Sequence, residues 1–213
     1  MENYVYTIAR GFGSGGRMIG MELASKLNIA YIDNEILQMA SEESGIGEAF
    51  FVHADEKLHK LFFNKSVTNP IDRIITPASN KFISNENLFN YQKKIILRLA
   101  MEESCVIIGR AADYILRTFP NVVSVNIQAP VDACIDSIMH RMMVDEKEAE
   151  KLVKTTDKYR ADYYRYYTGQ EWDNPINYDI SINSERLGRE NVSDYIIQFA
   201  EKKLGKKLMK NEE

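Results

Sequence analysis

Cysteine, proline and histidine are scarce in this sequence. Among 213 residues there are 2 cysteines, 5 prolines and 3 histidines. The two thiols, Cys105 and Cys134, lack the paired spacing of a zinc site and are too few for a disulfide framework. A chain of this length can bury enough apolar surface to fold without disulfides or metals. We therefore predict a single domain over residues 1–213 with no metal site built from its own side chains.

Long apolar runs and excess positive charge are absent as well. No apolar run approaches the ~18 residues that a membrane-spanning helix needs, and the first residues do not have the pattern of a signal peptide. The formal net charge is −4, which gives no broad basic surface for nucleic acid. We expect a cytoplasmic protein that binds neither membranes nor nucleic acids and whose partner is a small molecule.

Short apolar segments alternate with helical periodicities along the chain. Helical spacing separates the predicted strands, which lie at residues 4–9, 29–32, 105–108, 122–127 and 178–182. This alternation is typical of an α/β fold with a parallel sheet. Residues 45–85 have no single period and predict a small insert of short helices and loops.

Polar residues follow three of the predicted strands. A glycine cluster follows the first strand, Asp33 follows the second, and Arg110 follows the third. In parallel α/β sheets, ligands bind beyond the carboxyl ends of the strands. The three segments therefore predict one ligand site at that edge of the sheet.

The glycine cluster is the segment from Gly11 to Gly16, which contains four glycines in six residues. Glycine allows positive φ and a close approach of the backbone to a ligand. The helix that follows presents unpaired N–H groups to an anion. The segment fits the phosphate loop G-x-x-x-x-G-K-[ST], with Arg17 at the lysine position and Met18 at the hydroxyl position.

The same segment also fits a dinucleotide fingerprint. Gly11, Gly13 and Gly16 match G-x-G-x-x-G, and Asp33 lies near the distance of a ribose-binding carboxylate. The glycines alone leave both templates open. The cations elsewhere favour phosphates, because phosphoryl transfer depends on positive groups around the moving phosphate. They are Arg10, Arg17, Arg110, Arg141, Lys154, Lys158 and Arg160.

Four segments together resemble the cytidylate kinase-like family, a branch of the P-loop nucleoside monophosphate kinases. They are residues 9–16 with 29–33, residues 106–113, residues 156–172 and residues 178–184. The resemblance implies a P-loop NTPase-type three-layer α/β fold with a five-stranded parallel sheet. It also implies an acceptor-binding helical insert at 45–85 and a helical lid at 141–170.

The resemblance further implies a set of site residues. Donor phosphates of ATP would lie on the loop residues Gly11, Gly13, Ser14, Gly15, Gly16, Arg17 and Met18. The groups expected to act on the moving phosphate are Arg17, Arg141, Asp157 and Arg160. The acceptor would be held by Asp33, Arg110 and Asp113. Magnesium would arrive with ATP and contact the chain through water.

The leading hypothesis is ATP-dependent phosphoryl transfer to a nucleoside monophosphate, with CMP among the candidates. Arg17 and Met18 depart from the phosphate-loop pattern and support an alternative, a regulatory or scaffold protein that binds nucleotides without turnover. An NAD(P)-dependent oxidoreductase is a third, weaker hypothesis. The tyrosines at 159–167 could stack on a base, pack the lid against the core or form a homodimer face.

Overall fold

The structure is a computed structural model, and it describes residues 3–61 and 74–209. Its centre is a five-stranded sheet in the order β2-β3-β1-β4-β5. All four pairs of neighbouring strands are parallel. The strands are β1 (Val5–Arg10), β2 (Ala30–Ile32), β3 (Cys105–Ile108), β4 (Val122–Gln128) and β5 (Ile180–Asn183). The predicted five-stranded parallel sheet is confirmed.

Helices connect the strands and cover both faces of the sheet. They are α1 (Gly16–Leu27), α2 (Glu35–Ser44), α3 (Glu48–Leu61), α4 (Asn85–Glu102), α5 (Ala112–Ile115), α6 (Val131–Met142), α7 (Glu146–Thr168), α8 (Ser184–Leu187) and α9 (Val192–Leu204). Of the predicted insert at 45–85, residues 62–73 lie outside the described part of the chain. Within the described ranges, none of the helices has both the length and the apolar character needed to cross a membrane.

Local sequence explains where the longest helices begin and end. The side chain of Ser84 accepts a hydrogen bond from the Asn87 N–H at the start of α4, and Asp145 accepts one from the Glu148 N–H at the start of α7. These caps satisfy backbone donors that have no partner inside the helix. Helix α7 ends at Gly169, which has φ 72°, a conformation that glycine adopts without steric cost.

Each face of the sheet has its own apolar core. Because side chains alternate along a strand, Val5 packs with α2, α4 and α7, whereas Tyr6 and Ile8 pack with α1 and α9. The result is a three-layer arrangement of helices, sheet and helices. It leaves the carboxyl ends of the strands as the edge where loops meet.

The tyrosines of α7 join that helix to α4. The Tyr167 ring stacks on Phe89 with centroids 3.9 Å apart and planes 8° apart. The Tyr167 hydroxyl donates to the carbonyl oxygen of Asn85 at 3.1 Å, and Tyr163 is also buried. Of the three hypotheses for this run, packing against the core accounts for these two tyrosines.

Candidate functional site

The glycine loop, residues 11–16, joins β1 to α1 in tight contact with neighbouring backbone. Gly13 has φ 93° and Gly15 has φ 81°. A Cβ atom at Gly13 would lie 2.5 Å from the carbonyl oxygen of Cys134 in α6, and one at Gly16 would lie 2.5 Å from Cβ of Arg10. Gly13 is therefore required by space and by backbone conformation, Gly15 by conformation, and Gly16 by space.

Ser14 is buried inside this loop and shapes it. Its Oγ donates to the carbonyl oxygen of Gly11 at 2.9 Å. Its own carbonyl oxygen accepts a 2.6 Å hydrogen bond from Oγ of Ser184, the residue that follows β5. Ser184 also donates to the carbonyl oxygen of Gln128 at 3.2 Å. Sequence reasoning did not select Ser184 as a site residue, although it lies in a segment that resembles the family.

Arg17 follows the loop directly but contacts the end of β2. Its Nε lies 3.0 Å from Oδ2 of Asp33, and its side chain is 58% exposed. Hydrogen bonding to Tyr31 first, and then the charge of Asp33, raise the pKa of the Arg17 guanidinium. The neighbouring Met18 is 65% exposed. The structure thus places Arg17 beside Asp33, a predicted acceptor residue.

Asp33 is buried and receives contacts from several groups. Besides Arg17, the Tyr31 hydroxyl donates to Oδ2 at 3.4 Å. Nη2 of Arg10 lies 3.9 Å from Oδ1. The backbone N–H of Asp33 donates to Oε2 of Glu35 at 2.7 Å, which fixes the start of α2. Asp33 therefore joins the carboxyl ends of β1 and β2 to the start of α1.

In the sequence, Arg10 is one of several cations that favour a phosphate ligand. In the structure, it lies at the centre of the edge formed by the carboxyl ends of the strands. It is the last residue of β1, and its guanidinium packs against the backbone of Gly109. Burial is the largest cause that lowers the pKa of Arg10 to about 10, and the nearby charges of Arg160 and Arg110 add to it. Its Nε is buried and has no hydrogen-bond partner among the described residues.

Arg110 sits on a strained turn after β3. Gly109, Arg110 and Ala111 have φ of 68°, 58° and 52°. A left-handed conformation costs roughly 1–2 kcal/mol for each residue with a side chain. Strain of this kind persists where surrounding structure imposes it, and it is concentrated at functional sites. Of these three residues, only Gly109 indicates the turn in the sequence, because glycine is the residue that favours positive φ.

The predicted lid residues Asp157 and Arg160 contact the glycine loop. Oδ1 of Asp157 accepts a 2.8 Å hydrogen bond from the backbone N–H of Phe12. Nη1 of Arg160 donates to the same oxygen at 3.1 Å and to the carbonyl oxygen of Arg10 at 3.0 Å. Burial raises the pKa of Asp157 and lowers that of Arg160, while the charge of each partner opposes these shifts.

Phe12 is a second residue that sequence reasoning missed. The guanidinium carbon of Arg141 lies 5.2 Å from its ring centroid, and that of Arg160 lies 5.5 Å away. Both distances are within the range of cation–π attraction. The ring therefore holds two predicted lid arginines next to the glycine loop.

A cavity of about 220 Å³ lies beside the loop, and we call it the arginine pocket. Its charged lining residues are Arg10, Asp33, Arg110, Asp113 and Arg160. Tyr159 and Trp172 also line it, and they supply aromatic surface. The predicted acceptor residues Asp33, Arg110 and Asp113 thus come together with the lid residue Arg160, as the order of the strands allows.

Asp113 is a buried acid of the pocket. Its Oδ2 accepts a 2.6 Å hydrogen bond from the Tyr164 hydroxyl of α7. Burial raises the pKa of Asp113 to about 6, although hydrogen bonds from Tyr164 and from the backbone oppose this. The contact with Tyr164 gives Asp113 a second role, because it ties α5 to α7.

Comparisons with known proteins agree with this architecture. The family model described as "Cytidylate kinase-like family" matches residues 5–186. The crystal structure of an uncharacterized protein from Eubacterium ventriosum is similar, with a TM-score of 0.68 and 27% sequence identity, covering 93% of this chain and 99% of that one. No curated protein matches.

More distant similarities involve small-molecule kinases. Shikimate kinase from Acinetobacter baumannii, in complex with shikimate, has a TM-score of 0.48 and 11% identity, covering 92% of both chains. A gluconokinase from Sinorhizobium meliloti has a TM-score of 0.46 and 11% identity, covering 96% of this chain and 92% of that one.

Proposed function

Because the chain belongs to the cytidylate kinase-like family, we propose that it transfers a phosphoryl group from ATP to a nucleoside monophosphate, with CMP among the candidate acceptors. The observation that carries the proposal is the set of three arginines around one pocket. Arg10, Arg110 and Arg160 come from β1, the turn after β3 and α7, and all line the cavity beside the glycine loop. Convergent cations of this kind suit phosphate groups whose charge shifts during transfer.

On this proposal, the donor and acceptor phosphates have different partners. The backbone N–H groups of residues 13–16, at the start of α1, would hold the donor phosphates. Arg110 would bind the phosphate of the acceptor, because it lines the pocket at the end of β3. Asp33 and Asp113 would accept hydrogen bonds from hydroxyl or amino groups of the acceptor. Tyr159 and Trp172 would offer apolar surface to its base.

Arginines of the predicted lid would neutralise the negative charge on the moving phosphate. Arg160 already lies between the glycine loop and the arginine pocket, where its guanidinium donates a hydrogen bond to the carbonyl oxygen of Arg10. Arg141 lies over the same loop, on the Phe12 ring. Docking of α7 over the loop would also exclude water, so that phosphoryl groups pass to the acceptor instead of being hydrolysed.

Magnesium would enter with ATP and neutralise charge on its phosphates. The residue after Arg17 is Met18, whose side chain has no oxygen to offer, and the nearby carboxylate of Asp33 is already paired with Arg17. We therefore expect the ion to contact these residues through water molecules.

A coupled assay of ATP consumption with each nucleoside monophosphate tests the proposal. We expect turnover with at least one acceptor and a loss of at least ~10-fold in kcat/KM for Arg110→Ala, since the lost contact is charge-assisted. Arg117→Ala is the matched control, because Arg117 packs over Tyr114 and does not line the pocket. Absence of turnover with every monophosphate, at high enzyme concentration, would contradict the kinase proposal.

A nucleotide-binding regulatory or scaffold protein is the second candidate. The observation that favours it is the position of Arg17, whose guanidinium contacts Asp33. Calorimetry that shows tight ATP binding without turnover would support this candidate. The oxidoreductase hypothesis has its own test, since NAD(H) or NADP(H) would have to raise the melting temperature. A homodimer is a further expectation, which sedimentation velocity tests directly.

A further inference from the structure

Arg17 and Asp33 form an ion pair between the two halves of the proposed site. Arg17 directly follows the glycine loop, where the donor would bind. Asp33 lines the arginine pocket, where the acceptor would bind. The Asp33 side chain is 11% exposed, whereas that of Arg17 is 58% exposed. The carboxylate is therefore the fixed partner, and the guanidinium is the one with room to move.

We propose that this ion pair couples the donor and acceptor sites, so that Asp33 holds Arg17 away from the donor phosphates until an acceptor binds. The inference rests on the proposed function and adds a regulatory step to it. An acceptor hydroxyl or amino group that donates to Asp33 would compete with Arg17 for the carboxylate. The released Arg17 would then rotate about its own side-chain bonds toward the loop that it follows in the chain.

The surroundings of Asp33 make such an exchange feasible. Oδ2 faces both Arg17 and the Tyr31 hydroxyl, whereas Oδ1 faces Arg10 at 3.9 Å. Once Arg17 leaves, Arg10 remains to balance the buried carboxylate, so the exchange does not leave an uncompensated charge. Most of the Arg17 side chain is in water, where a single ion pair contributes little to stability and is easily replaced.

The coupling has a thermodynamic consequence. If the acceptor releases Arg17 for the donor, each ligand must strengthen the binding of the other by the same factor. Couplings of roughly 5- to 150-fold are typical of such linked sites. Without an acceptor, the donor site would lack the charge of Arg17, which would limit wasteful hydrolysis of ATP.

A double-mutant cycle tests this competition without requiring the acceptor to be known. The probe is the non-hydrolysable ATP analogue AMP-PNP with Mg²⁺, measured by calorimetry on wild type, Asp33→Asn, Arg17→Gln and the double variant. We expect Asp33→Asn to tighten binding about 5-fold when Arg17 is present, at the low end of typical coupling. In the Arg17→Gln background the same change should alter affinity by less than about 2-fold.

Glu35→Gln is the matched control for charge acting at a distance. Glu35 lies close enough to influence Arg17 electrostatically, but its carboxylate accepts from the Asp33 N–H. It should not tighten binding as Asp33→Asn does. The inference is overturned if Asp33→Asn brings no gain, or if the gain is equal in both backgrounds.

Two further observations distinguish failure of this inference from failure of the proposed function and from misfolding of a variant. If AMP-PNP binds neither wild type nor any variant, the proposed function itself fails. If Asp33→Asn does not fold, NMR of the Arg17 Nε–H in the wild-type protein reports the same exchange. We expect that resonance to shift when a mixture of the nucleoside monophosphates, CMP included, is added with AMP-PNP and to shift less with AMP-PNP alone. A resonance that neither addition changes would overturn the inference.

Discussion

The backbone N–H of Phe12 donates a 2.8 Å hydrogen bond to the carboxylate of Asp157, a residue 145 positions later in the chain. This contact joins the glycine loop to helix α7. It is reinforced by Arg160, which donates to the same carboxylate and to the carbonyl oxygen of Arg10. These hydrogen bonds therefore hold the glycine loop and helix α7 in one arrangement.

Removal of the Asp157 carboxylate should loosen α7 from the loop. For Asp157→Ala we expect a loss of about 2 kcal/mol in the free energy of unfolding, because the partly buried Arg160 and the Phe12 N–H lose a partner. Urea denaturation measures the loss. Hydrogen exchange should be faster at the Phe12 amide.

Glu150→Gln is the control for Asp157→Ala, because Glu150 pairs with Lys154 at the surface of the same helix. Exposed pairs of this kind contribute little, so no measurable change is expected. Equal effects of the two substitutions would contradict the role assigned to Asp157.

Gly13→Ala should distort the loop. The new Cβ would meet the backbone of α6 at Cys134, and φ is 93° at this position. We expect destabilisation of more than about 2 kcal/mol, from left-handed strain together with overpacking. Gly45→Ala is the matched control, because Gly45 has φ 70° but nothing within 4 Å of its virtual Cβ.

Gly45→Ala should therefore report the backbone strain alone, about 1 kcal/mol. Urea denaturation of both variants measures the difference. If Gly13→Ala is no more destabilising than Gly45→Ala, the close packing of the loop against α6 is not a constraint.

Asp113 should give the stability of the protein a specific pH dependence. Its pKa is raised to about 6 by burial, so between about pH 4 and pH 6 the folded state binds more protons than the unfolded state. Stability from this group is therefore highest at low pH and is lost as the pH rises through 6. Between pH 5 and pH 8 the loss is about 1 kcal/mol.

The variant Asp113→Asn keeps the shape of the side chain and removes the titration. Relative to wild type, we expect it to gain stability by that amount as the pH is raised from 5 to 8. Chemical denaturation at several pH values measures the two curves. Parallel curves would show that Asp113 does not titrate as described.

Phe12→Leu should weaken donor binding without unfolding the protein. The substitution keeps apolar volume but removes the ring that faces Arg141 and Arg160. With ~0.5–1 kcal/mol for each cation–π contact, the Kd of AMP-PNP should rise by roughly 5- to 30-fold.

Phe12→Tyr is the control for this prediction, because it keeps the aromatic face. Its Kd should stay within about 2-fold of wild type, since a tyrosine face attracts cations much as a phenylalanine face does. Calorimetry on both variants decides the outcome. Equal Kd values for the two variants would mean that the ring does not position the arginines.

The strands were predictable because short apolar segments and glycine breaks are local signals. The prediction at 105–108 coincides with β3, which runs from Cys105 to Ile108. The fifth strand begins at Ile180, two residues later than predicted, because residues 175–177 form a short helical turn just before it.

The local sequence also marked the components of the site. Glycine spacing identified the loop, and polar residues after strands identified Asp33 and Arg110. Which side chains contact each other was not predictable, because those contacts depend on the order of strands in the sheet. With β3 between β1 and β2, the ends of all three strands meet, and Arg10 can reach both Asp33 and Gly109.

The sequence by itself determined the parallel α/β architecture, the position of the glycine loop and the supply of cations, since these follow from periodicity and composition. Only the tertiary structure decided that Arg17 pairs with Asp33 and that the Asp157 carboxylate accepts a hydrogen bond from the Phe12 N–H. It also decided that Arg10 is buried near other arginines. The physical reason is that pairing and burial depend on distances between segments far apart in the chain, which no local pattern encodes.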